Sequence, residues 1–190
     1  MAGLTFRKRK RRINYHIIKE GFIWVAELML AFFIACVLVM NFGVMTSNVG
    51  QSMEPTMASG DRILTNRLIY KLTAPKRGDV VVFKPNGNEK SHYYMKRVIG
   101  LPGETIQIID GFIYIDGEVL VEDIKLDKIE YAGTAEEEIT LGEDEYFVLG
   151  DNRNASEDSR NAEIGNIKRK DIAFKAWFNA TLGENFGKIE

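Results

Sequence analysis

The sequence predicts a mainly β protein, an antiparallel β-sheet domain preceded by one N-terminal transmembrane helix. Three observations lead there. Gly21 to Met45 is apolar apart from Glu27 and Asn41. Beyond residue 46 the apolar residues come in short β-branched and aromatic runs bounded by Gly, Pro and Asn-Gly signals. Two of these runs, Thr105–Ile109 and Phe112–Ile115, are separated by Asp110-Gly111 alone, a favoured hairpin turn. The expected divisions are a cytoplasmic basic tail at 1–20, an anchor at 21–45 and an extracytoplasmic β domain at 46–190.

The anchor comes first. About 20 helical residues cross a hydrocarbon core, and Gly21 to Met45 is long enough, although its uninterrupted part runs only from Leu28 to Met40. A cleaved secretory signal peptide shows a similar pattern, but Gly43-Val44-Met45 lacks a small-x-small cleavage site. The basic run Arg7–Arg12 flanks the segment on its N-terminal side, which keeps that end in the cytoplasm and offers contact to anionic lipid. The body then lies outside the membrane.

The body follows as strands. Asp79–Phe83 stops at Pro85 and Asn86-Gly87, and His92–Ile99 stops at Gly100-Leu101-Pro102-Gly103. The hairpin comes next, then Glu118–Val121 after Asp116-Gly117, and Tyr146–Leu149 before Gly150. A short helix is expected around Arg62–Tyr70. Residues 122–145, with Glu136-Glu137-Glu138 at their centre, read as an acidic surface insertion.

Charge narrows the function. The net charge of −2 combines a basic tip with an acidic body: residues 1–45 hold seven of the 25 Lys and Arg but two of the 27 Asp and Glu. A nucleic-acid partner would need positive charge on the folded domain. The single cysteine, Cys36, lies in the anchor, so the body has neither a cysteine nucleophile nor a thiolate metal site. His92 is the body's only histidine, which leaves a conventional zinc site hard to build.

Three segments hold residues suited to catalysis. Ser47 to Met57 follows the anchor and contains Gly50, Ser52 and Pro55. A serine of this kind usually takes histidine as its base, but a lysine desolvated among apolar groups can serve. Lys96 lies in His92–Ile99, where strand alternation sets it on one face with Tyr94 and Val98. The competing reading is an edge-strand lysine that blocks aggregation. Gly150 to Arg160 is dense in residues that form turns and charge-assisted hydrogen bonds; a structured surface loop is the plain alternative.

Together these segments resemble type I signal peptidases. Ser52-Met53-Glu54-Pro55-Thr56 matches the family's Ser-Met-x-Pro-Thr, and Arg77-Gly78-Asp79-Val80-Val81 matches its Gly-Asp-Val/Ile-Val strand. Lys96 to Glu104 matches Lys-Arg-Val-Ile-Gly-Leu-Pro-Gly-Glu, and Gly150 to Arg160 matches Gly-Asp-Asn-Arg-x-x-Ser-x-Asp-Ser-Arg. The matches come in the expected order behind the expected anchor. Phe174-Lys175-Ala176 departs from the family's Gly-Lys-Ala.

The resemblance implies a serine endopeptidase. Ser52 would be the nucleophile, Lys96 the general base, and Ser156 a hydrogen-bond partner that orients the lysine amine. The backbone N–H of Ser52 would help hold the oxyanion. Gly50 stands where some members have serine, as in many Gram-positive forms. Asp151, Arg153, Asp158 and Arg160 would be scaffold residues holding the lysine strand and last loop together, with Asp158 and Arg160 forming a salt bridge. Lysine rather than histidine at position 96 points to the bacterial type. The implied partners are preprotein signal peptides, membrane lipid and the general secretion translocon, with no nucleic acid, no organic cofactor and no metal. The rivals are a tethered domain that binds peptides without cutting, a self-cleaving repressor of similar catalytic fold, and a peptidase dedicated to one substrate.

Overall fold

The computed structural model describes residues 15–42, 44–87, 91–183 and 185–189. The basic run Arg7–Arg12 lies outside them. The chain divides into two compact units at Val39/Met40. The first is carried by helix α1, Tyr15–Phe42. Its stretch Tyr15–Met40 is long and apolar enough to cross a membrane. The helix starts before Gly21 because His16, Lys19 and Glu20 extend it rather than cap it, and His16 Nδ1 lies 3.1 Å from Glu20 Oε1 one turn on. It ends earlier than expected, since Val44 and Met45 already belong to a strand.

The second unit is built on two antiparallel sheets. The strands are β1 (Val44–Ser47), β2 (Arg62–Asn66), β3 (Val80–Phe83), β4 (Tyr94–Gly100), β5 (Thr105–Ile109), β6 (Phe112–Ile115), β7 (Glu118–Val119), β8 (Ile139–Thr140), β9 (Glu145–Leu149), β10 (Ile167–Lys168), β11 (Ile172–Asn179) and β12 (Gly187–Lys188). The larger sheet has the order β1-β2-β11-β3-β4-β9-β10, with β12 added to β11. The smaller has the order β7-β6-β5-β8. Asp110 and Gly111 take φ of 50° and 77°, the left-handed pair that a two-residue hairpin turn demands, and Ile109 pairs with Phe112 across them.

Sheet faces follow from alternation. One core cluster holds Val81, Phe83, Val98, Tyr146 and Val148. A second joins the two sheets through Ile99, Ile106, Ile113, Phe147 and Leu149. A third gathers Met53, Met57, Ile63, Val80, Val82 and Met95 beside the serine segment. Each such side chain contributes about 1.5–3 kcal/mol when fully buried.

Three expectations change. Arg62–Asn66 is a strand, because Ile63 and Thr65 are buried in alternation with more exposed neighbours. The helix, α2, is confined to Ile69–Leu72. Residues 122–145 expose most of their charge, yet they are no appended insertion. Ile129, Ala135 and Leu141 are buried in the core that joins the sheets, and β8 pairs with β5. Of Glu118–Val121, Glu118–Val119 forms the paired strand.

Candidate active site

Lys96 is not on an edge. Strand β4 lies between β3 and β9, Lys96 stands opposite Val81 on β3, and the residue is 3% exposed. On the other side β9 ends at Leu149, opposite Arg97. The chain that would continue past Lys96 instead turns away at Gly150 into the loop 150–160. Into this gap comes the turn bearing Ser52.

That turn is short and internally bonded. Glu54 N–H donates to Gln51 O at 3.1 Å, and Met57 N–H to Met53 O at 2.9 Å. Met53 and Met57, both fully buried, pin it to the core. Gly50 enters it at φ +87°, a left-handed conformation that a side chain would strain. The loop 150–160 grips the turn from outside. Asn152 N–H donates to Ser52 O at 3.1 Å, and Asn152 Nδ2 donates to Gln51 O at 3.2 Å.

The result is a direct contact, with Lys96 Nζ 2.7 Å from Ser52 Oγ. The two residues are 44 apart in sequence. The Tyr94 ring centroid lies 5.5 Å from Nζ, on the face that alternation assigns. Burial pushes the Lys96 amine down from its ordinary value of 10.5 to about 8. The negative charges of Asp158, Glu157 and Asp151 oppose that fall without cancelling it. A substantial neutral fraction at mildly alkaline pH is what proton abstraction from a serine hydroxyl requires.

Two bidentate pairs frame the site. Arg97 donates to Asp151 through Nε at 2.8 Å and Nη2 at 2.7 Å, and Asp151 is 1% exposed. Arg160 donates to Asp158 through Nε and Nη2, both at 2.8 Å. Asp158 Oδ2 also accepts Gly150 N–H at 3.1 Å. Asp151 therefore ties the lysine strand to the loop, and Asp158 and Arg160 form a salt bridge within it. Arg153 differs. Its Nη1 donates to Glu122 at 2.8 Å, so it fastens the loop to the 122–145 segment instead of the lysine strand.

Ser156 differs too. Its Oγ is buried without a hydrogen-bond partner and makes no bond to Lys96. The hydroxyl is lodged against Gly150, where a Cβ would lie 2.2 Å from it and 2.4 Å from Ser52 O. Gly150 is thus a site residue whose role sequence reasoning missed; its φ is unexceptional, and only this close approach demands glycine. Arg97, Asn152 and Thr56 were likewise assigned no role. Their signal was position alone, each lying inside a segment already singled out.

Two clefts of about 810 and 790 Å³ open on the body, one around Ile108 and Lys128, the other around Leu120, Trp177 and Arg97. Neither is lined by Ser52 or Lys96. Phe174, at the position of the family's glycine, packs against the Tyr93 ring with centroids 5.7 Å apart and flanks a register shift between β11 and β3.

Comparison with known proteins identifies the family. The family model described as signal peptidase, peptidase S26, matches residues 22–180. A signal peptidase I of Bacillus licheniformis is 34% identical over 164 residues, covering 83% of this chain and 87% of the relative. A probable signal peptidase I-1 of Synechocystis is 33% identical over 183 residues, covering 92% and 88%. The crystal structure of a signal peptidase I from Enterococcus faecalis V583 is 31% identical, with a TM-score of 0.42 over 54% of this chain and 97% of that one. On the extent of the family match and the coverage of these relatives, the chain belongs to the signal peptidase family, peptidase S26, a family of serine proteases.

Proposed function

We propose that this protein removes N-terminal signal peptides from exported preproteins at the outer face of the membrane, with Ser52 as nucleophile and Lys96 as general base. The observation that carries the reading is the 2.7 Å contact between Lys96 Nζ and Ser52 Oγ, made by a lysine that is 3% exposed. Neutral Lys96 takes the Ser52 proton as Oγ attacks the scissile carbonyl carbon. The oxyanion rests on the Ser52 backbone N–H. Lys96 then delivers its proton to the leaving amine, and the acyl group stays on Ser52. A water activated by Lys96 attacks the ester, releases the carboxylate and restores the serine.

The substrate would lie extended. Strand β1 is the terminal strand of the larger sheet and leads toward Ser52, so its outer edge supports pairing with a peptide strand. Small residues at the first and third positions before the cut suit a surface whose interior is already filled by Met53, Met57 and Met95. Helix α1 would hold the body at the membrane, with the basic residues 7–12 on the cytoplasmic side against anionic lipid. The translocon would hand over the preprotein. A tethered domain that only binds peptides is disfavoured by the intact serine–lysine contact.

The test is precursor processing in membranes carrying wild-type protein, Ser52→Ala or Lys96→Ala. Both variants should leave the precursor uncut. Normal cleavage by either one overturns the dyad.

A further inference from the structure

We infer that Thr56 is a positioning residue for this reaction: through the buried Asp151 carboxylate it fixes the serine-bearing turn against the lysine-bearing strand. The inference rests on the assignment of Ser52 and Lys96 given above. Thr56 Oγ1 donates to Asp151 Oδ2 at 2.6 Å, across 95 residues of sequence. The same oxygen accepts Arg97 Nη2 at 2.7 Å, and Oδ1 accepts Arg97 Nε at 2.8 Å. Arg97 Nη1 in turn donates to Gly78 O at 2.8 Å. Asp151 is therefore immobile with respect to β4, and Arg97 is the immediate neighbour of Lys96. A hydroxyl bound to Asp151 is bound, in effect, to the lysine strand.

The geometry of the turn shows why this matters. Besides the Lys96–Ser52 contact itself, the turn is bonded at Gln51 O and Ser52 O, both accepting from Asn152, and at Met57 O, which accepts from Asn48 Nδ2 at 3.2 Å. The Asn152 bonds sit at the start of the turn and the Asn48 bond at its close. Together with the buried Met53 and Met57 they fix where the turn is, but none of these hydrogen-bond partners is held by Arg97. Thr56 stands four residues beyond Ser52 and supplies the bond to the carboxylate that Arg97 holds. Separated anchors fix orientation as well as place, and Ser52 Oγ must meet Lys96 Nζ in one orientation.

Asp151 does not need the threonine for its own sake. Both its oxygens already accept from Arg97. A threonine that merely satisfied a buried carboxylate would be redundant here; one that sets the register between two segments is not. Valine at this position keeps the shape and removes the donor, whereas serine keeps the donor and removes a methyl group.

The experiment is steady-state cleavage of a signal-peptide-containing substrate by the full chain in detergent micelles, with thermal melting followed in parallel. Thr56→Val should lower kcat by ~10- to 100-fold, the scale at which a small misplacement of a reacting group acts, with KM within about twofold of wild type. The loss should persist well below the variant's melting midpoint. Thr56→Ser should recover most of the lost kcat. A wild-type kcat in Thr56→Val, a loss expressed in KM, or an equal loss in Thr56→Ser overturns the inference. If Thr56→Val gives no cooperative melt, Thr56→Ala, which cannot clash, carries the same test. Failure of both to fold makes Thr56 a purely structural residue and also overturns it. Ser52→Ala, run alongside, separates the two claims: an active Ser52→Ala sinks the dyad itself, while an inactive one beside a fully active Thr56→Val sinks only the role given to Thr56.

Discussion

Replacing Lys96 with methionine should abolish cleavage and yet stabilise the fold at neutral pH. Lys96 is 3% exposed, and burial brings its amine from 10.5 down to about 8. At 1.36 kcal/mol per pKa unit, that gap is a penalty of about 3 kcal/mol for carrying a charged Lys96 into the folded state. The sign follows from proton binding. Between pH 8 and 10.5 the unfolded chain holds the lysine proton and the folded chain does not, so stability rises with pH there. Below about pH 8 both states are protonated and the full penalty applies. Methionine has a similar length, no charge and no such penalty. Urea unfolding of the full chain in a mild detergent, at pH 7 and pH 10, measures both quantities. Lys96→Met should be more stable than wild type at pH 7 by up to about 3 kcal/mol, and most of that difference should vanish by pH 10. Other groups titrate in this range, but they do so in both proteins and cancel. A Lys96→Met protein less stable than wild type at pH 7, or two stability curves that stay parallel to pH 10, would refute a desolvated lysine.

Three further outcomes are expected. The kcat/KM profile should fall as pH drops through about 8, where Lys96 gains its proton, and a flat profile down to pH 6 counts against Lys96 as base. Gly150→Ala should cut activity by ~100-fold or more, because its Cβ would stand 2.4 Å from the Ser52 carbonyl oxygen, which is backbone and cannot rotate away; unchanged turnover would show that the loop yields. Arg160→Met should move the acid limb of the profile to higher pH and cost about 3–5 kcal/mol of stability, since it leaves Asp158 buried and unpaired; the pH profile and a urea titration read the two effects separately.

What could be read in advance was what depends on neighbours in sequence. The hairpin at Asp110-Gly111 is a local matter of left-handed φ, and it was legible residue by residue. The strands β3, β4 and β9 follow from β-branched runs and their stops. Lys96 alone was ambiguous, because an edge lysine and a central one look alike until the strand's neighbours are known. Long-range pairings were not legible. Arg97 and Asp151 are 54 residues apart, and neither residue type nor spacing announces their bidentate bond. Ile129, Ala135 and Leu141 sit at no fixed period among acidic residues, so the composition of 122–145 suggested surface where packing makes core. Ser156 illustrates the remaining gap. A motif places a serine in the loop beside the lysine strand, but it does not say that the hydroxyl packs against the backbone of Gly150.

The two arginine–carboxylate pairs read as more than scaffold once the lysine's charge is considered. Asp158, Glu157 and Asp151 all favour the protonated amine, and two of these three are buried carboxylates at 1% exposure. Unpaired, such charges in a low-dielectric surrounding would hold Lys96 cationic and unable to accept a proton. Each is instead capped by a bidentate guanidinium, Asp158 by Arg160 and Asp151 by Arg97. The field of each pair is that of a dipole, which falls off faster than that of a charge. The loop can thus use carboxylates for what their geometry does well, accepting the backbone N–H of Gly150 and the hydroxyl of Thr56, without charging the lysine beside them. Glu157 is the exception, exposed and screened by solvent. Desolvation can then prevail at Lys96 in a site that also contains the carboxylates needed to build it.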